Sequence, residues 1–255
     1  MQKQYEKIIA LVKDSGKLLI QQQRESKKVI DAKKWTTEYD QNIENEFARL
    51  IQTFPGDHSL YAEELHVDFV DKPNVWIVDP ISYTYKFTHN LPHYAIVVSH
   101  IQNGEIKFAC IYDHSMNELF TAQKGQGAYL NSLPIHINND TADICILYDE
   151  VPVGQWTLAQ NLRIKEKLWK HGWVQSIGSF GLHYAYVAAG RAQLAVVTNK
   201  DTFPEFAGKL LVEEAGGVFT DFNNQQLTTE SRGIIAGNNE LHAKIQSQLR
   251  KIAIS

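Results

Sequence analysis

The chain has 255 residues, 44% of them hydrophobic and 21% charged, with a formal net charge of -4; this predicts one or two globular domains whose core needs no disulfide or metal staple. The mildly acidic balance leaves no electrostatic footprint for nucleic acid. Cys110 and Cys145 lie inside the apolar segments KFACIY and DICILY, which predicts buried free thiols in a reducing compartment, and no cysteine spacing suits a metal.

The N-terminal stretch MQKQYEKIIALVKDSGKLLIQQQ is broken by charges, so it reads as neither a signal peptide nor a membrane span, and a soluble cytoplasmic protein is the expectation. Ile8, Leu11, Val12, Leu18 and Leu19 recur there at helical spacing and predict an amphipathic helix whose stripe is core. A second helix is predicted from about Glu38 to Thr53, with Tyr39, Ile43, Phe47, Leu50 and Ile51 on one face and a turn from Pro55 to Asp57 closing it. Runs at Val75 to Val78, Tyr94 to His100, Ile106 to Tyr112 and Glu118 to Gln123, linked by turn signals such as Asn103-Gly104, predict an antiparallel meander. From about Ile144 strands and helices alternate: ICILYD, a helix over Leu158 to His171, VQSIG, a helix from Gly181 to Ala189, AQLAVVT, and a helix from Glu205 to Glu214. The change near residues 138 to 145 predicts an N-terminal α+β lobe over 1–140 and a C-terminal α/β lobe over 141–255, forming one continuous body without repeats.

Three acidic points stand at strand ends or loops: Asp40, the pair Glu63-Glu64, and Asp79 in WIVDPISYTYKF. Hard cations such as magnesium take oxygen ligands from separate chain segments, and this set can supply them. The plainer reading is that Glu63 and Asp79 hold loop backbone and that Glu64 is a solvated neighbour. His89 and His93 sit four apart, but around Leu91-Pro92 in a loop rather than on one helix face, which points to structural or exposed roles.

The order of segments resembles the inositol monophosphatase family, magnesium-dependent and lithium-sensitive phosphomonoesterases, from end to end. The likeness is carried by YAEEL, WIVDPISYTYKFTH, ELFTAQKGQGAYLNSLPI, SIGSFGLHYAYVAAGRAQ and FPEFAGKLLVEEAGGVFTDF. It implies a layered α/β fold: a mainly antiparallel sheet and a second, mixed sheet, with helices between and outside. It also implies that Glu63, Asp79 and the Ile81 carbonyl bind a first metal, with Asp79 bridging to a second, while Thr84 and its partner Asp40, in the element Thr37 to Asp40, hold the attacking water.

Other positions depart from that pattern. Ser82 replaces a second loop aspartate, Tyr83 a glycine whose amide would meet phosphate, and Lys86 an asparagine. Pro204 replaces the third metal-ligand aspartate, in a Phe203-Pro204 pair that stands for Trp-Asp. Val197 stands at a glutamate often used for substrate, and Gln193 at an aspartate. Pro204 suits the first turn of a helix, with Thr202 as the expected cap. Asp201 is either an exposed charge or a substitute ligand, and Tyr83 and Tyr85 are surface aromatics or blockers of the site. The expectation is a degenerate second-metal site: an impaired or inactive phosphatase that takes at most one magnesium, or none, and binds a phosphorylated small molecule or a protein partner. The alternatives are an active magnesium-dependent phosphomonoesterase acting on inositol, sugar or nucleotide monophosphates, and a structural partner in a dimer. The resemblance also implies a homodimer; neither nucleic acid nor membrane is expected.

Overall fold

A computed structural model describes residues 2–22, 28–31, 35–149, 157–198, 201–228, 231 and 233–253. Helix α1 (Lys3–Gln22) buries Tyr5, Ile8, Val12, Ser15, Gly16 and Leu19. Leu18 faces solvent, 39% exposed, because Leu19 is the residue seven on from Val12 and takes the inward position. A short ribbon of β1 (Val29–Asp31) and β2 (Thr36–Thr37) leads into α2 (Glu38–Ile51). That helix starts at a capping box in which Thr37 and Asp40 satisfy each other's amides.

Seven strands follow in one sheet: β3 (His58–Ala62), β4 (Asn74–Ser82), β5 (Ala95–Gln102), β6 (Glu105–Asp113), β7 (Glu118–Gln123), β8 (Ala128–Leu130) and β9 (Leu133–Ile135), ordered as in the chain. All neighbours are antiparallel except β3 and β4. The meander is as predicted, but β4 does not stop at Val78. It runs on through Asp79 to Ser82, and its pairing with β5 becomes irregular between those two residues. A five-residue helix, α3 (Thr84–Thr88), follows.

The second sheet has the order β11-β10-β12-β14-β13, built from β10 (Cys145–Asp149), β11 (Trp173–Gln175), β12 (Leu194–Val197), β13 (Val218–Asp221) and β14 (Ile234–Gly237). It mixes parallel pairs (β10 with β11 and β12) with antiparallel ones (β14 with β12 and β13). Its helices are α4 (Leu158–Trp169), α5 (Phe180–Ala188), α6 (Thr202–Glu214) and α7 (Asn239–Ala253). The sequence pattern assigned neither β13, β14 nor α7.

The apolar clusters give the layering. Val97, Ile111 and Phe120 of the first sheet, Leu182, Tyr184, Leu210 and Leu211 of α5 and α6, and Ala195, Val197 and Ala236 of the second sheet share one core, so α5 and α6 lie between the sheets. Residues of α1 and α2 pack on the outer face of the first sheet, and residues of α4 and α7 on the outer face of the second. Five alternating layers result. Cys110 is buried and Cys145 half-buried, both free. Among the described residues no helix is long and apolar enough to cross a membrane.

Candidate functional site

Strand register brings the acidic residues together. Tyr61 pairs with Ile77 and Ala62 with Val78 across β3 and β4. Side chains alternate along a strand, so Asp79, two residues beyond Ile77, lies on the same face, and the charge of Glu63, just past the end of β3, acts on it. That face meets α6: the Phe203 ring stacks on Tyr61, 4.9 Å between centroids, and packs with Val75 and Ile77. Asp79 lies opposite Val97 of β5. A Cβ on Gly181 would stand 2.8 Å from a Val97 methyl, 3.5 Å from the Ser179 hydroxyl and 3.7 Å from Pro204 Cβ. Asp79 therefore sits beneath the first turns of α5, capped by Ser179, and α6, capped by Asp201.

The Asp201 cap corrects two expectations. Asp201, not Thr202, accepts the Phe203 amide at 3.2 Å, and the helix starts at Thr202 rather than Glu205. Pro204 occupies the third helical position, where its missing N–H leaves no bond unmade.

Electrostatics at this point is strained. Asp79 is 2% exposed, and its Oδ1 has no hydrogen-bond partner. Burial, then the charges of Glu63 and Asp201, push its carboxyl well above the usual range; the Ser82 hydroxyl opposes this and Asp40 adds to it. Burial also pushes Asp201 up to about 6, against the pull of the Phe203 amide. It pushes Asp40 up to about 7, against the pull of Thr37.

These shifts set a sign for pH dependence. Each folded-state value lies above the unfolded one, so the stability these groups lend is complete below an unfolded value of about 4 and is lost as pH rises through the folded values. The metal-free thermal midpoint should therefore fall from pH 5 to pH 7, each group costing up to about 1.4 kcal/mol per pH unit until pH passes its folded value, near 6 for Asp201 and near 7 for Asp40. A midpoint that climbs across the same interval, followed by circular dichroism, would show that the carboxyls are not crowded.

The pair expected to hold water is assembled. The Thr84 hydroxyl donates to the Ile81 carbonyl at 2.8 Å and stands 3.3 Å from Asp40 Oδ1. Asp40 Oδ2 accepts from the Thr37 amide at 2.7 Å and its hydroxyl at 2.6 Å, which locks the carboxylate in place. Glu64 is not solvated as expected; it is half-buried and accepts from the Thr36 hydroxyl at 2.7 Å.

Glu44 was not legible as a site residue. It is fully buried on α2 and accepts the amides of Glu64 at 2.6 Å and Leu65 at 2.8 Å, with the His66 ring at 3.2 Å, so it pins the loop that carries Glu63. The available signal was an acid between Ile43 and Phe47 on the apolar side of the helix. Glu44→Gln should lower unfolding stability by about 2 kcal/mol, since hydrogen bonds to a charged group are worth about 1.5 to 3 kcal/mol each. The exposed Glu46→Gln should stay within about 0.5 kcal/mol, and equal effects of the two in urea would refute the pinning role.

The departures from the family pattern have been taken into packing. Ser82 is buried, and its oxygen accepts from the Ser179 hydroxyl at 3.0 Å. Ser179 was also missed, although a serine opening a helix is a capping signal. Tyr83 holds a left-handed backbone, φ 75°, which suits glycine better than tyrosine, and is 40% exposed. Its ring stands with Lys86 over Gly178, where an added Cβ would meet Lys86 at 2.6 Å and the ring at 2.7 Å, and Lys86 donates to the Ile177 carbonyl.

Tyr85 is a surface aromatic stacked on His89, whereas His93 faces Asp113 at 3.8 Å, so the two histidines are not brought together. Val197 is buried in β12 and offers no ligand. Gln193 accepts the Cys145 amide and donates to the carbonyls of Asp140 and Asp143, which ties down the segment before β10.

As the side chains stand, no three His, Cys, Asp or Glu among the described residues form a closed ligand set. The unpartnered Asp79 oxygen amid carboxylates nevertheless fits a hard cation, which takes oxygen donors.

Residues 1–253 match the inositol monophosphatase family. An inositol-1-monophosphatase of Bacillus subtilis is 30% identical over 247 residues, covering 92% of this chain and 91% of the relative. The Nus factor SuhB of Escherichia coli is 32% identical over 210 residues, covering 80% and 78%. The solved inositol monophosphatase of Thermotoga maritima superposes with a TM-score of 0.88 at 25% identity, covering 99% of this chain and 98% of that one. The chain belongs to the inositol monophosphatase family and has its fold.

Proposed function

We propose that the chain is an impaired phosphomonoesterase, a pseudophosphatase in the limit, which binds a phosphorylated small molecule beside Asp79 and takes at most one magnesium ion. The observation that supports this is the packing around Ser82 and Pro204. The Ser82 oxygen is engaged by Ser179, and the buried Pro204 brings a ring to the place where a carboxylate would face α5. The first-metal half retains its donors in Glu63, Asp79 and the Ile81 carbonyl, which has a second lone pair beyond the one Thr84 uses. These three would hold a magnesium ion, whose chemistry when bound would be to acidify a water and polarise phosphate. Thr84, held by Asp40, orients that water, and the N-termini of α5 and α6 favour the phosphate charge.

The intact Thr84–Asp40 pair favours a second reading, an active phosphomonoesterase with an altered metal set. A protein partner in place of a substrate is favoured by the relative that is a Nus factor. A homodimer and a cytoplasmic location go with the family likeness; light scattering checks the former. Phosphate release from sugar, inositol and nucleotide monophosphates, against magnesium and lithium, separates the two catalytic readings. Slow, lithium-insensitive release is expected; fast release inhibited by millimolar lithium would defeat the proposal.

A further inference from the structure

We infer that Asp201 adds a carboxylate to the surviving ion site, so that a single hard divalent cation is held by Glu63, Asp79 and Asp201. This rests on the one-ion reading above and names a ligand that the family motif does not contain.

The argument starts from the helix. Asp201 is the cap of α6 and Pro204 its third residue, so the two are three apart on the same side of the first turn. The helix face that carries no donor at Pro204 therefore still has a carboxylate one turn earlier. The stacking of Phe203 on Tyr61 sets that turn at the end of β3, beside Glu63 and Asp79. Asp79 supplies an independent sign of a missing ligand: a buried oxygen without a partner, under the turn that Asp201 caps. A buried carboxylate oxygen normally finds a donor or a cation. Asp201 accepts the Phe203 amide through Oδ1 alone, and its Oδ2 lies outside that bond. Three carboxylates and the Ile81 carbonyl make an all-oxygen set, which selects magnesium or manganese over softer metals.

The test uses the full chain with Asp201→Asn and Asp201→Ser, since Asn and Ser cap a helix about as well as Asp and leave α6 intact. Asp14→Asn, exposed on α1, is the control. Manganese binding is read by calorimetry and electron paramagnetic resonance, and the thermal midpoint is taken with and without the metal. Both Asp201 variants should bind manganese roughly tenfold more weakly or worse, since affinity follows ligand charge. Without metal they should melt higher than the native chain, because one of the crowded charges is gone. A role in capping alone predicts unchanged binding and an unchanged or lower midpoint.

Native-like manganese affinity in Asp201→Asn overturns the inference and, if phosphate release is slow, leaves the one-ion reading standing. A native chain that binds no manganese also overturns it. Fast, lithium-inhibited release by the native chain defeats the underlying reading, whatever Asp201 does.

Discussion

Phosphate release by this chain should run about a thousandfold below that of an intact two-metal phosphatase, and lithium should barely slow it further. That factor follows from the proposed absence of a second ion. In a two-metal phosphatase one ion activates water and the other stabilises charge on the leaving oxygen; if the second is worth about 4 kcal/mol of transition-state stabilisation, its absence costs about three powers of ten. Here Ser82 is neutral and engaged by Ser179, and Pro204 carries no donor. The resemblance to lithium-sensitive phosphatases implies that lithium competes at the second-metal position, so a site without that position offers it little. The measurement is steady-state phosphate release under saturating magnesium, beside an intact relative. Comparable rates would mean that the refilled corner does not matter to turnover.

Restoration tests the same cause from the other side. Ser82→Asp, Tyr83→Gly and Pro204→Asp together should rebuild a second ion site and raise the rate at least roughly tenfold, about 1.4 kcal/mol. Each change has a structural reason. Aspartate in the first turn of α6 suits the positive end of the helix, glycine relieves the left-handed backbone at φ 75°, and a carboxylate at 82 would lie within reach of the Ser179 hydroxyl that now donates to the serine. Single changes should do little, because residues that act as one unit are strongly non-additive. A lone Ser82→Asp adds charge beside a carboxylate already crowded by Glu63 and Asp201. A folded triple variant with no added metal and no added rate would place the defect elsewhere.

The legible parts of the fold and site were those whose causes are local. The α2 face and the meander over β5 to β7 each depend on spacing within about ten residues. Asp79 stood out because an apolar run delivers an acid to a loop. The remainder depends on contacts between distant segments. Ser82 and Ser179 are 97 residues apart, and Glu44 reaches a loop 20 residues on. Nothing in the local pattern at Asp201 shows that the stacking of Phe203 on Tyr61 will bring its carboxylate towards Asp79. Strands β13 and β14 have four residues each, too short for alternation to show, and a period reading assigned nothing there.

The central claim, that one ion site survives and the other has been refilled by Pro204 and the Ser82–Ser179 pair, is tested most directly by the number of manganese ions bound per chain at saturation, measured by calorimetry on the native protein. One ion per chain is the predicted result. Two ions per chain, as in two-metal enzymes, would contradict it.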